Sequence, residues 1–322
     1  MNMQEEGFVF PKTEWVKTRM KNISNVRIYK QDFISNKEFD YIEGHDYKID
    51  YVNGRICRTE NSLIPDFVNS CFYGIKPFDH DLFPSYGNGD FLIYASYDYS
   101  CGDSPEVIAE KISKESNQYA VLRGKLKLIK KHLIIKIYGD SISTGLEAST
   151  KNKAYFYRFA QYISKFYGIE VEIINTAVNG YTSKNGRDYY DMDNNNNYDW
   201  MIIAFGMNDQ NCWGDKLPIT PQIYENNIRY LCNNEIAKGK LPILVSPCIP
   251  HPNWIHNSGR MAEYVSVLDK ISKELKIPFA DVNSLFRNEL EIKPFDCLLR
   301  NGINHPNNYG HYLYSLMLKN LL

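Results

Sequence analysis

Three polar clusters in this sequence lie beside segments with a regular apolar pattern. The apolar runs 133–138 and 200–205 lead into Ser141 and Asn208, and His305 comes shortly before a stretch with helical periodicity. In an open parallel sheet, ligands and chemistry gather outside the carboxyl ends of the strands. A serine, an asparagine and a histidine at that edge are the parts of an acyl-transfer site: a nucleophile, an oxyanion donor and a base.

The elements that must position these residues are recognisable from about residue 129 onward. Apolar runs alternate there with segments of helical periodicity, which is typical of βαβ units around a parallel sheet. We predict a first strand that ends at 138, further strands over 171–175, 201–205, 242–246 and 277–282, helices over 152–167, 223–237, 261–275 and 309–322, and an exposed asparagine-rich loop over 191–197.

Residues 1 to about 128 have a different pattern, in which short strand-like pieces are separated by turn residues. Asn53-Gly54 lies between 51–52 and 55–58 and predicts a β-hairpin. The segments 26–29 and 91–97 have the composition of further strands, and Ser104-Pro105 predicts the start of a short helix. We therefore expect two domains, a small β-sandwich over 1–128 and an α/β domain over 129–322.

Composition excludes several classes of function. The 322 residues are 43% hydrophobic and 23% charged, and 37 basic residues face 38 acidic ones, which argues against a nucleic-acid partner. No apolar run approaches the roughly 20 residues that cross a bilayer, so no membrane partner is expected. The first seven residues lack the basic and apolar parts of a secretory signal, so we expect a cytoplasmic protein, although a leader removed beforehand would not be visible.

The cysteines do not indicate a metal or a disulfide framework. There are seven of them, scattered along the chain, with no Cys-x-x-Cys pair and no zinc-binding spacing. An odd, scattered set is typical of reduced thiols in a reducing compartment. We expect no metal and no organic cofactor.

Four ordered segments give the sequence a specific resemblance. Gly139-Asp140-Ser141, Gly180 within 175–183, Gly206-Met207-Asn208-Asp209 and His305-Pro306-Asn307 resemble the four blocks of the SGNH hydrolases, also called the GDSL esterase/lipase family. The resemblance covers roughly residues 130–322. It implies a flavodoxin-like, three-layer α/β domain with a parallel sheet. The N-terminal part loosely resembles the jelly-roll-like β-sandwich that precedes this domain in some carbohydrate esterases.

The resemblance implies a role for each matched residue. Ser141 would be the nucleophile, and its backbone N–H, Gly180 and Asn208 would form the oxyanion hole. His305 would be the general base, since it lies in the His-Pro-Asn context of the family's last block, shortly before the C-terminal helical stretch. Each residue also has an ordinary structural interpretation, such as a helix-capping serine or a turn glycine. Asp140 and Asp209 are expected to organise their loops.

The third member of a catalytic triad is missing from its usual place. The family usually carries an aspartate three residues before the histidine, where this chain has Gly302. A variant spacing would use Asn301, and the nearest upstream acid is Asp296. Three outcomes stay open: Asn301 or a backbone carbonyl orients His305, Asp296 or another acid does so, or the site is impaired.

The function implied is a serine esterase that removes small acyl groups, most plausibly acetyl, from a carbohydrate through an acyl-Ser141 intermediate. The carbohydrate part depends on the accessory sandwich and on aromatic residues near loops, such as Trp213 and Trp254. Two alternatives remain, an acyltransferase that uses the same intermediate and a catalytically impaired carbohydrate-binding protein. The sequence does not indicate an oligomeric state.

Overall fold

The computed structural model describes residues 1–84, 86–100, 102–129, 131–192, 196–213 and 219–322. Its N-terminal part contains seven strands within those ranges: β1 (Asn2–Phe8), β2 (Val16–Lys17), β3 (Ile23–Gln31), β4 (Glu38–Asp40), β5 (Tyr47–Asp50), β6 (Arg55–Arg58) and β7 (Ile93–Tyr99). They form two antiparallel sheets, one in the order β1-β7-β3-β4 and the other in the order β2-β6-β5. The small N-terminal β domain expected from the turn pattern is therefore present.

The rest of the chain is an α/β domain. Its strands are β8 (His132–Gly139), β9 (Glu170–Asn175), β10 (Trp200–Ala204), β11 (Leu241–Val245) and β12 (Phe279–Ala280). The helices are α1 (Pro105–Glu115) and α2 (Arg123–Leu126), which precede this sheet, then α3 (Ser141–Thr144), α4 (Tyr155–Tyr167), α5 (Ser183–Tyr189), α6 (Pro221–Ala237), α7 (Met261–Leu275), α8 (Val282–Leu290) and α9 (Asn308–Asn320). Short 3₁₀ helices cover Phe67–Asn69, His80–Leu82, Lys151–Lys153, Tyr190–Met192 and Phe295–Cys297.

The five-stranded sheet has flavodoxin-like topology. All its pairs are parallel and its order is β12-β11-β10-β8-β9, so the strands taken in chain order run 2-1-3-4-5. The order reverses between β8 and β10, and ligands bind at such a switch point. Ala204 pairs with Gly139, so the two strands end at the same height. The residues that follow them, Ser141 and Asn208 among them, leave the sheet on the same edge.

The central strands follow from their apolar sequence. All five residues of β10 are buried, because helices cover both faces of a parallel sheet and leave no face for water. β10 lies so close to β8 that position 139 requires glycine, because a Cβ there would lie 2.5 Å from the carbonyl oxygen of Ala204. β8 and the turn that follows it therefore lie very close to β10 directly before Ser141.

The β domain packs on the α/β domain through a shared core. Buried side chains of both parts belong to one cluster that includes Phe8, Tyr97 and Tyr309. A fully buried ion pair also crosses between them, with Lys293 Nζ 2.5 Å from Glu6 Oε1. The boundary near residue 128 stays a prediction, since the packing here is continuous.

Two predicted strand boundaries are wrong. The hairpin exists, but its first strand is β5, and residues 51–52 lie in the turn, because the Asp50 carboxylate accepts from the Asn53 N–H at 3.0 Å and pairs with Arg55. The last strand, predicted over 277–282, is shorter and covers only β12 (Phe279–Ala280). It ends there because the side chain of Asp281 caps α8 by accepting from the Ser284 N–H at 3.1 Å. The sequence patterns missed α2, α5 and α8 altogether.

The asparagine-rich loop expected over 191–197 lies partly outside the described residues, which leave out 193–195. Among the described residues, none of the helices combines the length and the apolar character that a bilayer crossing requires. The six described cysteines are free thiols.

Candidate active site

Ser141 lies at the first turn after β8, where three features fix its position. The Asp140 side chain caps α3 by accepting from the Ile142 N–H at 3.0 Å. Ser141 is the first residue of that helix, where a backbone N–H has no acceptor within the helix. Gly145 ends the helix in the left-handed region, with φ of +90°. The turn thus presents a hydroxyl and an uncommitted N–H at the sheet edge.

His305 reaches this hydroxyl from the far end of the chain. Its Nε2 lies 2.8 Å from Ser141 Oγ, although 164 positions separate the two residues. The loop that carries His305 is fixed on its C-terminal side by Asn307, whose side chain caps α9 by accepting from the Gly310 N–H. Burial lowers the pKa of His305 to about 4, against an opposing effect of Glu147, so the imidazole is neutral at pH 7.

Asn301 occupies the other side of the His305 ring. Its Oδ1 accepts backbone N–H bonds from Ile303, Asn304 and His305 at 3.0, 3.0 and 2.9 Å. These three donors fix which end of the amide is oxygen, because an NH₂ group in that place would face three N–H groups. The Nδ2 end therefore faces His305 Nδ1, at 3.0 Å.

This orientation determines the tautomer of His305. An amide nitrogen can only donate, so Nδ1 must accept and the ring proton of the neutral imidazole must be on Nε2. The Nε2–H then donates to Ser141 Oγ. A general base needs the reverse, a lone pair on Nε2 and a proton on Nδ1. Asn301 thus holds the ring in place but favours the tautomer that cannot take the serine proton.

The loops that carry Gly180 and Asn208 are joined to each other and to the Ser141 turn. Asn208 Nδ2 donates to the carbonyl oxygen of Tyr181 at 3.0 Å, which leaves the second hydrogen of its amide for another acceptor. The Thr144 hydroxyl lies 2.9 Å from Asn179 Oδ1 and ties α3 to the Gly180 turn. Gly180 has φ of +77° and an open side towards solvent, so its conformation and its access both suit glycine.

Asp140 and Asp209 act within the loops, as their position in the sequence indicated. The Asp209 carboxylate accepts from the Ser183 N–H at 3.0 Å and from the Ser183 hydroxyl at 2.5 Å. Both carboxyls are fully buried in their loops, and burial raises the pKa of Asp140 to about 7 and that of Asp209 to about 6. The hydrogen bonds of these two carboxyls go to Ile142 and Ser183 and not to the His305 ring.

The other residues considered for the site lie elsewhere. Asp296 accepts from Asn88 Nδ2 at 2.9 Å, so it serves the loop and does not orient His305. His311 is buried in α9 with its Nε2 3.1 Å from the Leu146 carbonyl oxygen. The remaining histidines are distributed over the surface and two aromatic clusters: His45, His80, His132, His251 and His256.

A cavity of about 430 Å³ opens beside His305 and Asn301, and both domains line it. Its other lining residues are Tyr86, Gly87, Gly89, Asp90, Leu146, Glu147 and Arg300. Nothing in the sequence pattern marks these residues, because it does not show that the turn over 86–90 reaches the histidine loop. The buried Asn88 makes that link, with its N–H 2.7 Å from the Arg300 carbonyl oxygen.

The two tryptophans considered for sugar contact do not line this cavity. Trp254 is buried, with 3% of its surface exposed, within a cluster that includes Phe72 and Phe78. Trp213 is 42% exposed and stacks on His256, with ring centroids 4.1 Å apart. Tyr86, which is 44% exposed, is the aromatic ring at the cavity.

Comparison with known proteins places the fold. A mutant of the acetyl-xylooligosaccharide esterase Axe2 from Geobacillus stearothermophilus has a TM-score of 0.52 and 21% identity, covering 60% of this chain and 95% of its own. Acetylxylan esterase Axe2 itself has a TM-score of 0.51 at 20% identity, with the same coverage. LAE5, an alpha/beta hydrolase enzyme from the metagenome of Lake Arreo, Spain, has a TM-score of 0.50 at 20% identity, covering 59% of this chain and 94% of its own. A search of curated proteins gave no match.

The sequence profile of the GDSL-like Lipase/Acylhydrolase family matches residues 137–313, which is more than half of the chain. That span begins in β8, includes Ser141, Gly180 and Asn208, and ends beyond His305. With the flavodoxin-like sheet, the profile identifies an ester-cleaving serine hydrolase fold with its four blocks at one edge. The chain belongs to the GDSL-like lipase/acylhydrolase family.

Proposed function

We propose that this protein is a serine esterase that removes small acyl groups, acetyl in particular, from a carbohydrate. The observation that carries the proposal is the 2.8 Å contact between Ser141 Oγ and His305 Nε2 at the switch point of the sheet. Ser141 is the nucleophile and His305 the base. The backbone N–H groups of Ser141 and Gly180 and the free hydrogen of the Asn208 amide receive the oxyanion.

The reaction passes through an acyl-serine. Ser141 Oγ attacks the ester carbonyl carbon while its proton moves to His305 Nε2, and the carbonyl oxygen becomes the oxyanion. When the tetrahedral intermediate collapses, Nε2 returns that proton to the leaving alkoxide. Water then attacks the acyl group by the same two proton transfers and restores the serine. No residue other than these four needs to touch the reacting atoms.

The cavity supports a hydroxyl-rich substrate. Asp90, Glu147, Arg300 and Asn301 line it, and its volume lies within the range of small-molecule sites. Polar and charged groups of this kind pair with sugar hydroxyls, whereas a long acyl chain needs an apolar groove. The structural neighbours that act on acetylated xylan and xylo-oligosaccharides support the same class of substrate.

Asn301 sets the rate that this site can reach. His305 can accept the serine proton only as the Nδ1–H tautomer, which loses the Asn301 bond and brings two donors face to face. In serine proteases, the corresponding exchange of aspartate for asparagine lowers turnover by about 10⁴-fold. The same observation favours a second candidate, a carbohydrate-binding protein whose active site is impaired.

The test is hydrolysis of p-nitrophenyl acetate and of acetylated xylo-oligosaccharides by the wild-type protein and by Ser141→Ala. We expect slow hydrolysis and fluorophosphonate labelling by the wild type and neither by the variant. Ser143→Ala is the matched control, since Ser143 lies in the same turn but bonds to the Tyr155 hydroxyl. Equal labelling of wild type and Ser141→Ala would refute the role of Ser141, and no labelling of either would favour the binding protein. Mass spectrometry with an acyl donor and candidate sugars would reveal transfer instead of hydrolysis.

A further inference from the structure

Two segments far apart in the sequence bring a cluster of metal-ligating groups together on the surface. Asp79, His80 and Asp81 lie at the 3₁₀ helix of the β domain, and His256 lies in the loop between β11 and α7. One ligand atom from each lies within 4.8 Å of every other. Because the two segments are 175 or more residues apart, no ligand spacing in the sequence could indicate the cluster.

The hydrogen bonding of His256 leaves one of its ring nitrogens able to bind a metal ion. Its Nδ1 lies 2.7 Å from the carbonyl oxygen of Cys212, so the ring proton must be on Nδ1. Its Nε2 therefore carries a lone pair, and this atom is buried with no hydrogen-bond partner among the described residues, in a side chain that is 10% exposed. A metal-bound histidine usually donates its other ring N–H to a backbone carbonyl or a carboxylate in this way.

One acidic partner, Asp79, is close to His256 without a hydrogen bond to it. Asp79 Oδ1 lies 3.7 Å from His256 Nε2, too far for a hydrogen bond. Two ligands of tetrahedral zinc, each about 2.0–2.1 Å from the ion, lie roughly 3.3 Å apart. A small movement of the partly exposed Asp79 side chain, whose Oδ1 also accepts from the Asp81 N–H at 3.0 Å, closes that difference. The Asp81 side chain is 65% exposed, so it has room to approach the ion.

His80 belongs to the surroundings of the site rather than to the ligands. The Trp254 Nε1–H donates to His80 Nδ1 at 3.1 Å, so the proton of the neutral imidazole is on Nε2. That Nε2 lies 3.4 Å from Asp81 Oδ1 and can orient the carboxylate by donating to it.

We propose that Asp79, Asp81 and His256 bind one Zn²⁺ ion, with water completing the coordination. An imidazole nitrogen together with two carboxylates favours zinc over magnesium, which prefers all-oxygen sites. The ion would connect the β domain to the loop after β11. Tyr86 packs edge-on against His80, with ring centroids 4.9 Å apart, so the ion would also stiffen the wall of the cavity that Tyr86 lines.

The experiment is calorimetric titration of the chelator-treated, full-length protein with Zn²⁺, and with Mg²⁺ for comparison. We expect one Zn²⁺ per chain, a rise in melting temperature with zinc, and no comparable response to magnesium. Asp81→Asn and His256→Gln should each weaken zinc binding by about tenfold or more. His45→Gln is the matched control, because His45 also stands beside an aspartate, Asp46, but outside the cluster.

Asp81→Asn keeps the test decisive even if His256→Gln folds poorly, because the Asp81 side chain is largely exposed. Zinc affinity that is the same in wild type and Asp81→Asn would overturn the proposal, as would the absence of zinc binding to the wild type. The readout does not involve ester hydrolysis, so it is independent of the proposed function.

Discussion

The two sides of the Ser141–His305 contact are built with different completeness. On the serine side, the turns that carry Ser141, Gly180 and Asn208 are capped and cross-linked by side chains, and the second hydrogen of the Asn208 amide stays available for its proposed role in the oxyanion hole. On the histidine side, the loop is equally well fixed, but Asn301 presents a donor where the ring needs an acceptor. The comparison teaches that position and protonation are separate requirements: a histidine can be placed at hydrogen-bond distance and still carry its proton on the wrong nitrogen.

Asn301→Asp is the substitution with the largest expected effect. One carboxylate oxygen would keep the three backbone N–H bonds that Oδ1 now accepts, and the other would accept a proton from His305 Nδ1. This stabilises the tautomer that can act as a base, so we expect kcat/KM for p-nitrophenyl acetate to rise by about 10²- to 10⁴-fold.

Asn304→Asp is the control for that experiment. Asn304 lies in the same loop, and its Oδ1 accepts from Asn301 Nδ2. The substitution therefore introduces a carboxylate into the loop without placing it at the His305 ring. We expect little gain from it. A similar gain in both variants would mean that charge alone, and not the tautomer of His305, limits the rate; no gain in Asn301→Asp would show that the tautomer is not limiting.

Asn208→Ala tests the serine side of the comparison. Removing one oxyanion donor typically costs about 10²- to 10³-fold in kcat, and KM should change little because the ground-state ester carries no oxyanion. The measurement is best made in the Asn301→Asp background, where the rate is higher. Gln222→Ala, on the exposed start of α6, is a suitable control. A loss confined to KM would remove Asn208 from the oxyanion hole.

The pH dependence of kcat/KM tests both sides of the Ser141–His305 contact together. Protonated His305 cannot accept the serine proton, so activity falls as the pH drops through its pKa, which burial lowers to about 4. Titration of His305 alone therefore predicts a wild-type kcat/KM that is nearly constant from pH 7 down to about pH 5 and falls below that, whereas protonation of Asp140 and Asp209, whose pKa values burial raises to about 7 and 6, adds any pH dependence seen above pH 5. In Asn301→Asp the new carboxylate favours the imidazolium, so the acid limb should move to higher pH. Identical profiles in the two proteins would contradict the placement of Asn301 at the ring.

Most strands of the parallel sheet could be predicted from the sequence, because they depend on a local apolar pattern. The apolar runs of β8 and β10 and the polar residues after them were sufficient to place Ser141 and Asn208 at one edge, since parallel strands end together. The short β12 could not be bounded, because Asp281 ends it by capping a helix that the pattern did not reveal. Local pattern fails where a side chain decides between two backbone conformations.

The surroundings of the site could not be predicted, because they depend on contacts between distant segments. Asn301 was one of several candidates to orient His305, and only the three backbone N–H bonds to its Oδ1 reveal which way its amide points. Likewise, Tyr86 reaches the cavity through the bonds of Asn88 to the histidine loop, a link across more than 200 positions. Neither contact leaves a periodic signal in the sequence.

Tyr86→Ala should have the smallest effect, and it tests whether the β domain contributes to substrate binding. Tyr86 is the aromatic ring at the cavity, and stacking of such a ring is worth about 0.5–1.5 kcal/mol, so KM for acetylated oligosaccharides should rise by about twofold to tenfold. The rate with p-nitrophenyl acetate should stay unchanged, because this small ester does not need the outer part of the cavity. Tyr73→Ala is the matched control, since Tyr73 has similar exposure, 41% against 44%, but packs on Phe67 away from the cavity. If both variants raise KM equally, the effect is a general loosening of the β domain; if only Tyr86→Ala does, then the cavity wall built by the N-terminal part selects the substrate.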